Sequence, residues 1–289
     1  MRGLRGGLLA VVVLLVAGCG QADVADTADT ADMSDPGIGH VHGLGVDPGD
    51  GTVYVAGHYG LFRVTGPQAA ERVAGRIQDH MGFTVIGPKT FLASGHPGAA
   101  DTTSPPHLGL IRTTDGGITW TSISERGTAD FHALQSAGDD LYAYDSQTGK
   151  VRVSGDGGVT WTPGAREDVL DLAAPASTPG TVFATTRQGL KVSSTAGREF
   201  APVEGAPALS HVEAPEAKLL VGVDTGGRIQ RSTDGGATWR ADGALPAPAA
   251  AFTAVTADRL LATTEDGTVY DSNDGGTTFT IAYNPAKAP

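Results

Sequence analysis

Thr113-Thr114-Asp115-Gly116-Gly117-Ile118-Thr119-Trp120 is a phrase the chain keeps rewriting. It returns as Ser154-Gly155-Asp156-Gly157-Gly158-Val159-Thr160-Trp161, as Ser232-Thr233-Asp234-Gly235-Gly236-Ala237-Thr238-Trp239, and as Ser272-Asn273-Asp274-Gly275-Gly276-Thr277-Thr278-Phe279. A degenerate copy, Ser193-Ser194-Thr195-Ala196-Gly197-Arg198-Glu199-Phe200, lies between the second and third. The closing aromatics stand at 120, 161, 200, 239 and 279, so the steps are 41, 39, 39 and 40 residues. A fixed period near forty, with one strand-turn-strand signature per unit, predicts an all-β fold: a six-bladed β-propeller of four-stranded blades.

The residue types explain the phrase. An Asp carboxylate accepts bonds from backbone N–H groups in a tight reversal, and a Ser or Thr hydroxyl adds another local bond. A Gly takes the positive φ that a side chain would resist. The aromatic after the turn is large enough to fill the wedge between neighbouring units, and all three Trp of the chain are used this way.

Six units follow residue 38: about 39–75, 79–125, 130–166, 168–205, 209–243 and 250–283. Each opens with a short apolar strand, for example Val41-His42-Gly43-Leu44 or Phe131-His132-Ala133-Leu134. The first unit has no copy of the turn, and the second carries an insert, Pro97 to His107. Arg63, Arg112, Arg152 and Arg231 recur at the third strand, which marks them as structural. The propeller is expected to occupy 38–285.

The first 37 residues read differently. Arg2 and Arg5 precede an apolar run, Leu8 to Ala17, that is too short for a stable span. Val16-Ala17-Gly18-Cys19 resembles a bacterial lipobox, and Cys19 is the only cysteine in the chain. A lipoprotein signal over 1–19 with Cys19 as the lipidation site is the expectation, beside an ordinary secretory signal with an incidental Cys. Residues 20–37 place Asp at every third position, five times over, among small residues. Such a segment cannot offset the entropy of ordering it, so it reads as an acidic tether. These features together predict a lipid-anchored protein on the outer side of the cell membrane. The net charge of −12 argues against nucleic acid, which requires a basic face.

Propeller geometry then sorts the histidines. First strands begin at one face of the ring, the top, and loops between second and third strands return there. His40, His42, His80, His132 and His211 stand at or before first strands; His58, His96 and His107 stand in the loops. All eight map to the top face, and seven lie between residues 40 and 132. Repeat copying would spread them evenly. The clustering therefore predicts a ligand-binding site built from His40, His42, His58, His80, His96 and His132. The metal ligands expected within it are His42, His58, His80 and His132. Imidazole donors suit zinc, copper or nickel, and Met81 would add a soft ligand that leans towards copper. Asp79, Asp130, Asp168 and Asp171 reach the same face, where a carboxylate could orient an imidazole or do acid–base work. For any single one of them, a bond to local backbone N–H groups at the blade junction is the commoner use.

The repeated phrase resembles the Asp-box, or BNR repeat, of sialidases, sortilin-type receptors and many secreted propellers. His40-Val41-His42-Gly43-Leu44, Met81-Gly82-Phe83-Thr84-Val85, Ser94-Gly95-His96-Pro97 and Asp130-Phe131-His132-Ala133-Leu134 resemble a narrower bacterial family of secreted glycosyl-hydrolase-like, or exo-sialidase-like, proteins. That resemblance implies a sugar hydrolase. The sialidase pattern is not met: there is no Arg-Ile-Pro before the first turn, and no Tyr–Glu nucleophile pair among the six tyrosines. Two functions stay open. One is a binding module that takes a small molecule, glycan, metal or partner protein at the top face. The other is a glycoside hydrolase with a carboxylate pair, Asp79 with Asp130 or Asp168, about 5 or 9 Å apart.

Overall fold

The computed structural model describes residues 35–287. The signal, Cys19 and nearly all of the tether lie outside the described residues. Among those described, no helix is long and apolar enough to cross a membrane.

Six four-stranded antiparallel sheets follow one another along the chain, each built from four consecutive strands. Their innermost strands are Val41–Val46, Asp79–Gly87, Phe131–Ala137, Val169–Ala173, Leu209–Glu216 and Ala249–Ala254. Residues from all six line one central channel of about 680 Å³. Blade six uses Ala249 to Tyr283 alone, so among the described residues no strand is exchanged between the ends of the chain. Packing closes the ring instead. Val41, Leu44 and Val55 of blade one share a buried cluster with Leu261, Val269 and Tyr283 of blade six, and the Asn284 N–H donates to the Pro67 carbonyl at 2.9 Å.

Each of the six junctions between neighbouring blades has its own hydrophobic cluster, as the repeated aromatics require. Trp161 packs on Leu92 and Leu110 of blade two and Phe131 of its own blade, with the Phe131 ring centroid 4.8 Å away. Trp239 does the same between blades four and five, and Phe200 and Phe279 at their own junctions. The rings are half-buried, and the Trp161 indole N–H reaches the Ser124 hydroxyl at 3.0 Å.

The turn ahead of four of the five aromatics repeats atom for atom. The first Ser or Thr hydroxyl donates to the Asp Oδ1 at 2.7–2.8 Å. The same hydroxyl accepts the N–H of the second Gly at 2.8–2.9 Å. Asp Oδ1 accepts the N–H of the later Thr at 2.9 Å, and Oδ2 its hydroxyl at 2.6 Å. In the degenerate copy the Thr195 hydroxyl takes the place of the carboxylate and accepts the Glu199 N–H at 3.1 Å. The recurrent arginines act structurally where their partners are visible. Arg63 pairs with Glu71, Arg152 with Glu125 and Asp145, and Arg231 with Asp242.

One feature of the innermost strands breaks simple alternation. Every one carries a β-bulge near its start, where one extra residue opposes its neighbour strand. The extra residues are His42, Met81, His132, Leu170, Ser210 and Ala250. A bulge re-aims the side chain it carries. Blades one and three place a histidine there.

Turn bonds are each worth about 1 kcal/mol net, whereas a packed indole is worth several times that. Trp161→Ala should therefore lower unfolding free energy by about 3 kcal/mol, read from the denaturant midpoint. Asp156→Ala should move the midpoint less. An unchanged midpoint in Trp161→Ala would show that the ring does not wedge the blades.

Candidate functional site

Six of the eight histidines gather over blades one to three, in two sets. The first set joins His42, His58 and Asp79, whose ligand atoms all lie within 4.8 Å of one another. His42 comes from the bulge of blade one. His58 sits in the two-residue turn after Val53–Gly57 and is held there by its N–H, which donates to the His40 carbonyl at 2.9 Å. Asp79 opens the innermost strand of blade two. His42 Nε2 lies 3.7 Å from Asp79 Oδ1, and His58 Nδ1 lies 3.5 Å from Asp79 Oδ2. The two imidazole nitrogens are 3.5 Å apart. His40 stacks edge-on to His42 at 4.9 Å and leans out to Glu265.

The second set joins His96, His107 and Asp130, again within 4.8 Å. His96 ends the second strand of blade two, and His107 is the last residue of the insert that loops back over it. The adjacent Leu108 is buried and its N–H donates to the Gly95 carbonyl, which pins the return. Gly95 is required there: it has φ 149°, and a Cβ would stand 2.2 Å from the Asp79 carbonyl. His96 Nδ1 lies 2.8 Å from the Pro106 carbonyl. A carbonyl only accepts, so Nδ1 carries the proton and Nε2 keeps its lone pair, 3.7 Å from Asp130 Oδ2. That same oxygen takes bonds from His132 at 2.8 Å and the Ser146 hydroxyl at 3.0 Å.

Three buried polar atoms in these sets have no partner: Asp79 Oδ1, Asp130 Oδ1 and His107 Nδ1. Leaving such groups unpaired costs about 1–3 kcal/mol each, more for a charged one. Burial pushes the Asp79 carboxyl above the usual carboxylate range, against the nearby charges of His58 and His96. Burial acts the same way on Asp130, but the His132 bond and charge, with Ser146 and His96, carry it below that range. Burial and the neighbouring imidazoles hold His42 down at about 4, so it is a neutral donor at physiological pH.

The single cluster of His42, His58, His80 and His132 expected from sequence is thus divided. His42 and His58 come together. His132 lies in the other set, bonded to Asp130. His80 belongs to neither: it is 1% exposed, its ring 5.2 Å from that of Trp120, and its Nδ1 has no partner. The strand carries it into the wedge between blades one and two, where burial pushes it down to about 3. Asp168 stands apart, half exposed and 3.4 Å from Arg187 on blade four. Met81 is the bulge residue of blade two and lines the channel, in neither set. Strand order places His107 on this face but does not single it out as a ligand; its position at the end of an insert found in one unit only is the signal that the sequence offers.

Deeper in the channel are two carboxyls of another kind. Asp171 accepts the N–H groups of Leu172 and Val212, both at 2.9 Å, and burial raises it to about 7. Glu213 is raised to about 8 by burial and by Asp171. Beside them burial lowers His211 to about 4.

No family model matches the chain, and no curated protein matches it. Solved structures match its fold. In a nidogen/laminin complex, a chain 13% identical aligns over 82% of this chain and 94% of its own, with a TM-score of 0.61. YCF48 bound to a D1 peptide aligns over 85% and 83% at 16% identity and 0.52. The GH74 xyloglucanase of Xanthomonas campestris aligns over 84% of this chain at 18% identity and 0.51. The match spans 45% of that enzyme's length. At these identities the likeness is one of fold alone.

The buried histidines predict an acid-sensitive fold. Their ordinary value is 6.5, and in the folded chain His42 and His80 fall to about 4 and about 3. Below pH 6.5 the unfolded chain therefore binds protons that the folded chain refuses, so their contribution destabilises the fold progressively down to those values; above 6.5 it vanishes. His80→Phe keeps the ring and removes the titration. Relative to the parent protein, its unfolding free energy should rise as pH falls from 7 to 4. A pH-independent difference would show that His80 is not buried in neutral form.

Proposed function

We propose that this chain is a lipid-anchored, extracytoplasmic propeller that binds a divalent transition ion at its top face through His42, His58 and Asp79. The observation that carries the reading is Asp79 Oδ1, buried without a partner and 3.7 Å from His42 Nε2. A buried carboxylate with one imidazole against each oxygen, and one of those oxygens unpaired, is a site suited to a cation. Two nitrogens and one oxygen suit zinc, copper or nickel better than calcium, which takes six to eight oxygens. Ligand atoms on one ion at about 2 Å stand within roughly 4 Å of each other, so only small side-chain movements are required.

Untagged protein should carry bound zinc or copper by elemental analysis after gel filtration, and His58→Ala should lower the content by one ion per chain. His58 is half exposed on a turn, so the variant should keep its circular dichroism. A metal-free parent protein, or an unchanged content in the variant, would refute the reading.

A second reading has one observation behind it. Asp79 is pushed up and Asp130 down, the separation that an acid and a base of a glycoside hydrolase need. Under it, Asp79→Asn and Asp130→Asn would each abolish turnover of a glycan by metal-free protein.

The anchor is proposed from sequence alone. Cys19→Ala should move the protein from the membrane fraction to the soluble fraction or leave an uncleaved precursor. Normal processing with full membrane retention would rule the lipidation out.

A further inference from the structure

We infer that the top face is a two-ion centre: His96, His107 and Asp130 hold a second divalent transition ion beside the one held by His42, His58 and Asp79. This rests on the reading of the first set as a metal site.

Four observations carry it. First, the second set has what the first has, and more. Asp130 Oδ1 and His107 Nδ1 are both buried and both without partners, so the set offers one unpaired carboxylate oxygen and one unpaired imidazole nitrogen. Second, the tautomer of His96 is already set for ligation. The Pro106 carbonyl occupies Nδ1, which turns the Nε2 lone pair towards Asp130; this is the outer-shell arrangement that metal-bound histidines use. Third, the two sets are neighbours by construction. Asp79 and His96 are direct cross-strand partners in blade two, so one residue pair contributes a ligand to each set.

Fourth, one ion cannot serve both sets. Donors to one ion at about 2 Å must all lie within roughly 4 Å of each other. Among the described residues the donors fall into two groups of three, each within 4.8 Å, and no larger group meets that limit. Each ion would take two imidazole nitrogens and one carboxylate from the chain, which leaves coordination positions open for water or a further ligand. His132 then has a positioning role: with the Ser146 hydroxyl, its bond to Asp130 Oδ2 holds the carboxylate towards His96 and His107, whose nitrogens lie 3.7 and 4.0 Å from that oxygen.

The test uses the full chain without a His tag, stripped with chelator and titrated with Zn²⁺, with bound zinc counted after gel filtration. The parent protein should bind two ions. His96→Ala and His107→Gln should each bind one, and His58→Ala should also bind one, with circular dichroism unchanged. Loading with Cu²⁺ should give an EPR spectrum with dipolar coupling between two copper ions, reduced to an isolated-ion spectrum in each variant. One zinc in the parent protein, lost in His58→Ala but kept in His96→Ala and His107→Gln, would overturn the second site and leave the first standing. Two ions without copper–copper coupling would overturn the shared centre. No bound zinc at all would overturn the underlying reading together with this one.

Discussion

A four-stranded sheet of some twenty residues has two faces to bury and no means of burying either alone. Everything in this molecule follows from the way six such sheets bury their faces against each other. Sheets stacked radially leave wedge-shaped gaps, and a ring closes only if each gap is filled by side chains of the right bulk. The repeated turn solves this locally, because it delivers an aromatic to every junction that it precedes. The degenerate copy shows which of its parts are indispensable. Thr195 replaces the Asp and Ala196 accepts φ 55° in place of the first Gly, yet the second Gly remains as Gly197. The reason is packing as well as dihedral: a Cβ at the equivalent Gly158 would stand 2.1 Å from Leu110 of the preceding blade. The one junction without such a turn, between blades six and one, uses Phe62 and Tyr283 instead.

The proposed site lies at the one end of this ring where the packing rule relaxes. Below the mouth, the innermost strands keep a regular alternation, broken again only in blades two and five. At the mouth, the bulge inserts a residue outside that alternation in all six blades. Four of these positions hold Met81, Leu170, Ser210 and Ala250; only blades one and three hold imidazoles. Asp79 and Asp130 lie beside those two blades, nearly covered by them. A desolvated carboxylate is tolerated there because the imidazoles around it supply partial compensation. What compensation is missing falls on one oxygen of each.

The channel behind the mouth has the opposite electrostatics. Asp171 and Glu213 are held near 7 and 8, so much of their formal negative charge is absent at neutral pH. The strongly acidic composition of the chain therefore overstates the charge that a molecule entering the channel would meet.

The amino-acid sequence by itself determined the six blades, because a period near forty with a self-contained turn is a local code that each unit reads independently. It also determined that histidines collect on one face of blades one to three, since strand order assigns each loop an end. Which histidines meet was decided by tertiary structure. A bulge is invisible to a two-residue period, so the aim of His42 and His132 could not be derived from alternation. His80 was lost to the site by Trp120, forty residues away, which seals it into a wedge. His107 was gained because Leu108 anchors the end of an insert whose path no local rule prescribes. The division into two sets, each with an unpaired carboxylate oxygen, arises from three blades converging. Its physical basis is desolvation by neighbours, a property of the assembled ring and of no segment within it.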